Sequence, residues 1–253
     1  MTYPIQLLIL CPLLFLAGFG DAIAGGGGTI SVPSLMLIGL PTTAALGTNK
    51  MAMSVGTVAS VYQYGKNGRI VWATALHAAL GAFTGAALGA KVTILAGERI
   101  MNIALLILLP AVFLFLCLKK SFGGGEFLPR PATPRSCALA ALCGLFIGFY
   151  DGFFGPGAGT FYIMALTGVL QLSLPEASGD SKVANLSSNV GALVTFLLNK
   201  AVLWRFALPG ILFTVSGNYL GSRLAIKNGA KFIRPVMAIM ILLLFLKTFI
   251  NIF

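Results

Sequence analysis

Long apolar runs separated by short polar breaks fill the chain, at 5–19, 29–40, 42–64, 70–96 and 100–118, then at 137–154, 160–174, 183–198, 201–226 and 232–253. A helix crossing the hydrocarbon core needs about 20 mainly apolar residues. Runs such as 42–64, 70–96 and 201–226 meet that length, whereas 29–40 and 160–174 fall well short of it. The pattern predicts an all-α polytopic membrane protein of roughly eight to ten membrane segments. Each half holds about three full crossings and a glycine-broken or re-entrant helix pair.

The second set of runs repeats the first. Gly18-Phe19-Gly20-Asp21 is echoed by Gly148-Phe149-Tyr150-Asp151, and each copy leads into a glycine-rich turn, 25–28 in one half and 155–159 in the other. Further on, Gly47-Thr48-Asn49-Lys50 matches Gly179-Asp180-Ser181-Lys182, and Trp72 matches Trp204. Gly85 with Gly89 matches Gly217 with Gly221, and Gly97 matches Gly229. Shared hydrophobicity would not align the only two tryptophans together with scarce aspartates and lysines, so a duplication is the expected origin. It divides the chain into a first repeat at 1–118, a cytoplasmic linker at 119–136 and a second repeat at 137–253.

Five runs per half invert the second repeat relative to the first. The inversion gathers Lys66, Arg69, Lys119, Lys120, Arg130, Arg135, Arg223, Lys227, Lys231 and Arg234 on one side, against Lys91, Arg99, Lys200 and Arg205 on the other. By the positive-inside rule the first set is cytoplasmic and both termini are periplasmic. Inverted repeats are a recurring transporter architecture, with substrate held near the midplane where the halves meet.

Four consecutive glycines at 25–28 are uncomfortable in a continuous helix, since each costs about 1 kcal/mol relative to alanine. Gly155-Pro156-Gly157 interrupts the second half likewise. Broken helices are tolerated at membrane depth where they are packed or line a cavity. Their N-termini offer free N–H groups and partial positive charge to an anion. Gly27, Gly28, Thr29, Gly157, Gly159 and Thr160 are therefore candidate substrate contacts, unless the glycines serve only close helix packing.

Lys50 and Lys182 stand at the heads of apolar helices, each after a polar cluster, and a lysine at mid-membrane costs at least ~2.5–3.5 kcal/mol. Either an anion or a carboxylate compensates them, or they snorkel to water. Thr48, Asn49, Ser181, Asn185 and Asn189 join them as candidate substrate contacts, and Ser187 and Ser188 make the second half the more polar one. Asp21 and Asp151, at matching positions, are proton-coupling candidates; permanent lysine pairing and helix capping are the alternatives. His77, the single histidine, is expected to be a satisfied core residue, and the glycines spaced by four at 81, 85 and 89 and at 217 and 221 to be packing contacts.

Composition narrows the functions. Apolar residues make up 58% of the chain and charged ones 9%, which leaves no stretch for a soluble domain. The net charge of +11 lies in loop cations that set topology, so nucleic acid is not an expected partner. The four cysteines lack metal-ligand spacing and read as small core residues; no metal or cofactor is expected. Ala22-Ile23-Ala24 resembles a signal-peptidase site, yet no lysine or arginine precedes it and the segment recurs at mid-chain.

The first glycine turn followed by Val32-Pro33 and Ala44-Ala45-Leu46-Gly47-Thr48 resembles the amino-terminal repeat of the TauE/SafE sulfite-exporter family, also called the sulfonate uptake permease family. The stretch from Gly148 through Gly155-Pro156-Gly157 to Lys182-Val183-Ala184-Asn185-Leu186-Ser187-Ser188-Asn189 is similar to that family's widespread bacterial branch. Gly28, as a fourth consecutive glycine, and Asn49 before Lys50 depart from the family's pattern. The resemblance implies a bacterial inner-membrane permease for sulfite, an organosulfonate or a related sulfur-containing anion. Its expected partners are that anion, the bilayer and the proton as candidate coupling ion, with a homodimer left open. An anion channel is the alternative. An enzyme is disfavoured because His77 lacks an evident serine or metal companion.

Overall fold

A computed structural model describes residues 1–118, 133–236 and 239. Its helices are α1 (Tyr3–Ala24), α2 (Gly28–Leu37), α3 (Thr42–Lys66), α4 (Trp72–Leu118), α5 (Pro134–Phe153), α6 (Ala158–Val169), α7 (Leu174–Leu198) and α8 (Trp204–Asn228). The protein is an all-α membrane protein. Among the described residues, Tyr3–Ala24, Trp72–Gly97 and Pro134–Phe153 are long and apolar enough to cross a bilayer. α3, α7 and α8 run to 25 residues each, and buried polar side chains lower their hydropathy. Gly97, at φ +72°, interrupts α4.

Most of the expected linker at 119–136 and nearly all of the last apolar run at 232–253 lie outside the described residues. The linker's last three positions are already helix, because Thr133 and Ser136 form a capping box in front of Pro134. α7 likewise begins at Leu174, well before the apolar run at 183–198, since Ser173 and Glu176 cap it there.

Packing registers fix the helix directions. Gly81, Gly85 and Gly89 of α4 lie against 141/145, 145/149 and 149/153 of α5, so the two helices run parallel. α4 also runs parallel to α7, where the Ser187 hydroxyl donates to the Ala79 carbonyl and Gly191 rests on Phe83. In the same way α8 is parallel to α1, through Gly217 on Phe15 and Gly221 on Phe19, and to α3, through Thr214 to Ala52 and Ser60 to Asn218. α3 and α7 are antiparallel: Gly47 meets Phe196 and Ala201 while Lys50 meets Asn189. Thus α1, α3 and α8 point one way and α4, α5 and α7 the other. Each helix opposes its counterpart, which is an inverted repeat.

The fourth helix of each half packs on the first and third helices of the other, so the halves interlock. A Cβ at Gly85 would fall 2.1 Å from the Leu145 carbonyl oxygen and one at Gly217 2.2 Å from that of Phe15, the same contact made twice. Because α1 and α3 run parallel, α2 must carry the chain back between them. Its 10 residues span about 15 Å, half of a ~30 Å hydrocarbon core. α6 does the same in the second half.

Candidate functional site

The two returns meet at the centre of the molecule. α1 ends at Gly25, whose φ of +73° suits glycine and whose N–H donates to the Asp21 carbonyl. A Cβ there would lie 2.1 Å from the backbone of Gly159, so the two breaks touch across the halves. Thr160 donates its hydroxyl to the Ala24 carbonyl at 2.8 Å and thereby satisfies the end of α1 from the opposite half. Gly157, at φ +81°, is the N-cap of α6, and Gly28 packs near Pro156.

Two ion pairs flank these breaks, and both cross between the halves. Lys50 Nζ lies 2.8 Å from Asp151 Oδ1 and donates to Asn189 Oδ1 at 3.0 Å. Lys182 Nζ lies 3.2 Å from Asp21 Oδ2 and donates to the Asp21 carbonyl at 2.5 Å. Ser188 donates its hydroxyl to Asp151 Oδ2. All four charged residues are at most 3% exposed. Each lysine is eight residues inside its helix, about 12 Å from the start, rather than at its head. Neither lysine snorkels to water; each is compensated by an aspartate. Breaking such a pair leaves a bare buried charge, at a cost of about 3–5 kcal/mol.

Between the breaks lies a small, tight polar cavity of about 10 Å³, room for about one water. Asp21, Asp151 and Lys50 contribute charge to its wall, Asn49, Asn185 and Asn189 contribute amides, Gly25, Gly28, Gly155 and Gly159 contribute backbone, and Met53 is its apolar element. Asn189 donates to Asn185 Oδ1, while the buried Oδ1 of Asn49 has no hydrogen-bond partner. An unpaired amide oxygen in a cavity wall is available to a hydrogen-bond donor. α3 lines it with Asn49, Lys50 and Met53 and α7 with Asn185 and Asn189; three, six and seven residues beyond its lysine, α7 carries Asn185, Ser188 and Asn189, where α3 carries Met53, Gly56 and Thr57.

Several residues singled out in the sequence sit beside the cavity rather than on its wall. Thr29 donates to Gly26 O and Ser181 to Ser178 O, both within their own segments. Gly27 is packed against Asp21, Ala17 and Met53. Thr48 accepts the N–H of Leu203 and so caps α8. Its counterpart Asp180 does the same for α4, accepting from Val71 N and Thr74 Oγ1 at 2.7 Å each. Lys182 reaches the cavity only through Asp21. Sequence reasoning missed this capping pair, and it left Ser188, Met53, Gly25 and Gly155 out of the site; the alignment of Thr48 with Asp180, both good N-cap residue types, was the available signal. His77 is exposed rather than in the core, its Nδ1 2.7 Å from the carbonyl of Ala73 one turn earlier. Cys11 is buried and Cys137 and Cys143 are half-buried.

Residues 10–248 match the family model described as Sulfite exporter TauE/SafE. The chain belongs to this family. Among similar proteins, the "Probable membrane transporter protein ORF9" of a Sinorhizobium species is 36% identical, covering 89% of this chain and 85% of its own. A "Probable membrane transporter protein" of Haemophilus influenzae is 34% identical over 92% and 91% of the two chains. The "Probable membrane transporter protein YfcA" of Escherichia coli K12 is 33% identical over 94% and 88%. No solved structure matches the chain. This TauE/SafE protein is thus a membrane transporter.

Proposed function

We propose that the protein is a secondary transporter that carries sulfite, an organosulfonate or a related small sulfur-containing anion across the bacterial inner membrane by alternating access. The observation that carries this reading is the pair of cross-half lysine–aspartate contacts beside a polar cavity between two broken helices. An oxyanion entering the cavity competes with Asp151 for Lys50, and the Asn189 amide N–H, which donates to Asn185, stands in the wall beside it. Once displaced, Asp151 keeps only Ser188 and is the group that takes up a proton. The anion and the proton then travel as a unit while the halves rock about the Gly25–Gly159 contact. In this reading both termini are periplasmic and the cation-rich end is cytoplasmic.

The test is flux into liposomes carrying the purified protein. Labelled sulfite, thiosulfate and a small sulfonate are supplied with and without an imposed pH gradient. Saturable uptake driven uphill by the gradient, and lost in Lys50→Gln, is the expected result. Flux that runs only downhill and never saturates would sink alternating access in favour of a channel.

A further inference from the structure

A second cationic site lies far from the cavity, at the shared end of α3 and α8. These helices run parallel, and their last turns border an open groove of about 330 Å³ lined by Gln63, Lys66, Asn67, Tyr219, Arg223, Ile226 and Lys227. Three positive charges converge there. Among the described residues none of them makes an ion pair: Asp21 and Asp151 hold lysines of the central site, Asp180 caps α4 and Glu176 caps α7. Three cations without a carboxylate partner among the described residues repel one another, and an anion in the groove relieves that repulsion.

The walls below the cations decide what kind of anion fits. Val58 and Tyr62 lead up α3 to Lys66 at helical spacing, and Leu212 and Tyr219 lead up α8 to Arg223 and Lys227. These four apolar or aromatic residues are exposed, from 44% at Tyr219 to 69% at Leu212, and the Lys66 ammonium stands 6.0 Å above the Tyr62 ring. Both stripes belong to a membrane-embedded helix pair, so they face acyl chains. Tyrosine beside a cation is the arrangement found at headgroup depth. A soluble anion would use the cations and leave the stripes unused; a phospholipid uses both.

We infer that this groove is a binding site for an anionic phospholipid. The phosphodiester is held by Lys66, Arg223 and Lys227, and the chains lie along α3 and α8. Basic pockets between membrane helices hold lipid headgroups by the same physics. The site is independent of the transported anion and stands or falls separately from the central cavity.

Native mass spectrometry of the intact protein in neutral detergent tests it, with mixed micelles containing phosphatidylglycerol or phosphatidylcholine of identical chains. Phosphatidylglycerol should be retained at least tenfold better, and each of Lys66→Gln, Arg223→Gln and Lys227→Gln should lower that preference about fivefold. The single variants keep the test valid even if the triple variant does not fold. A variant neutralising Lys200 and Arg205 at the opposite end should retain the preference. Equal retention of the two lipids by the unaltered protein would overturn the site, as would an equal loss in the opposite-end variant. Displacement of phosphatidylglycerol by millimolar inorganic phosphate would show an anion site that does not need the lipid, and would also overturn it.

Discussion

α3 and α7 place a lysine at the same position of helices of the same length, yet the two lysines live in different surroundings. Lys50 meets one carboxylate oxygen of Asp151 and an amide from Asn189, and it lines the cavity. Lys182 is tied to both the side chain and the backbone of Asp21 and is fully buried behind it. One pair lies in the cavity wall and the other ties the end of α1. A repeated scaffold has thus kept its electrostatic plan in both halves while the side chains beyond the lysine differ, α7 carrying Asn185, Ser188 and Asn189 where α3 carries Met53, Gly56 and Thr57.

Between the two lysines, the larger effect should come from Lys182→Gln. Asp21 then loses its only ion pair in a buried site, and stability should fall by about 3–5 kcal/mol, measured as unfolding in detergent. Lys50→Gln should destabilise less, because Ser188 still bonds Asp151, while abolishing flux. Equal destabilisation by the two would break the division into a holding pair and an exchanging pair. Adding Asp21→Asn to Lys182→Gln should recover a good part of the loss, as expected for coupled partners.

The two glycine breaks offer the next contrast. Gly25→Ala meets both a positive φ and a backbone 2.1 Å away, so it should cost more than 3 kcal/mol or prevent folding. Gly155→Ala has a positive φ but no atom nearer than 3.5 Å, and should cost about 1–2 kcal/mol, read by the same unfolding measurement. Asn189→Ala should raise the KM for the transported anion about tenfold, whereas Thr57→Ala, at the matching position of α3 and outside the cavity wall, should leave KM unchanged. The smallest difference concerns the caps. Thr48→Ala should lower stability by about 1 kcal/mol, and Asp180→Ala, which loses two hydrogen bonds, by about 2 kcal/mol.

Rare residues made the fold legible. Trp72 with Trp204, Asp21 with Asp151 and Lys50 with Lys182 aligned the halves, and the glycine clusters located both breaks. The pairing of charges was not legible, because the alignment allows Asp21 to meet Lys50 as readily as Lys182, and only the interlocked packing of α4 and α8 decides for the crossed partners. The roles of hydroxyls were hidden for a local reason. Thr48, Thr160 and Ser181 stand where a side chain can face either a cavity or a nearby carbonyl or N–H, and all three turn to backbone. His77 was misread because a bond to the preceding turn lets an exposed histidine rest on an apolar face.

The packing of α4 on α5 and α7, and of α8 on α1 and α3, bears on where such a protein comes from. Among the described residues, a single half made alone offers its fourth helix little of its own to lie against. It can bury that helix only against a second copy threaded through the bilayer upside down. A one-repeat ancestor of this packing would have had to insert in both orientations and pair with its own copy, and a fusion of two such copies would keep together the halves that cover each other's fourth helix.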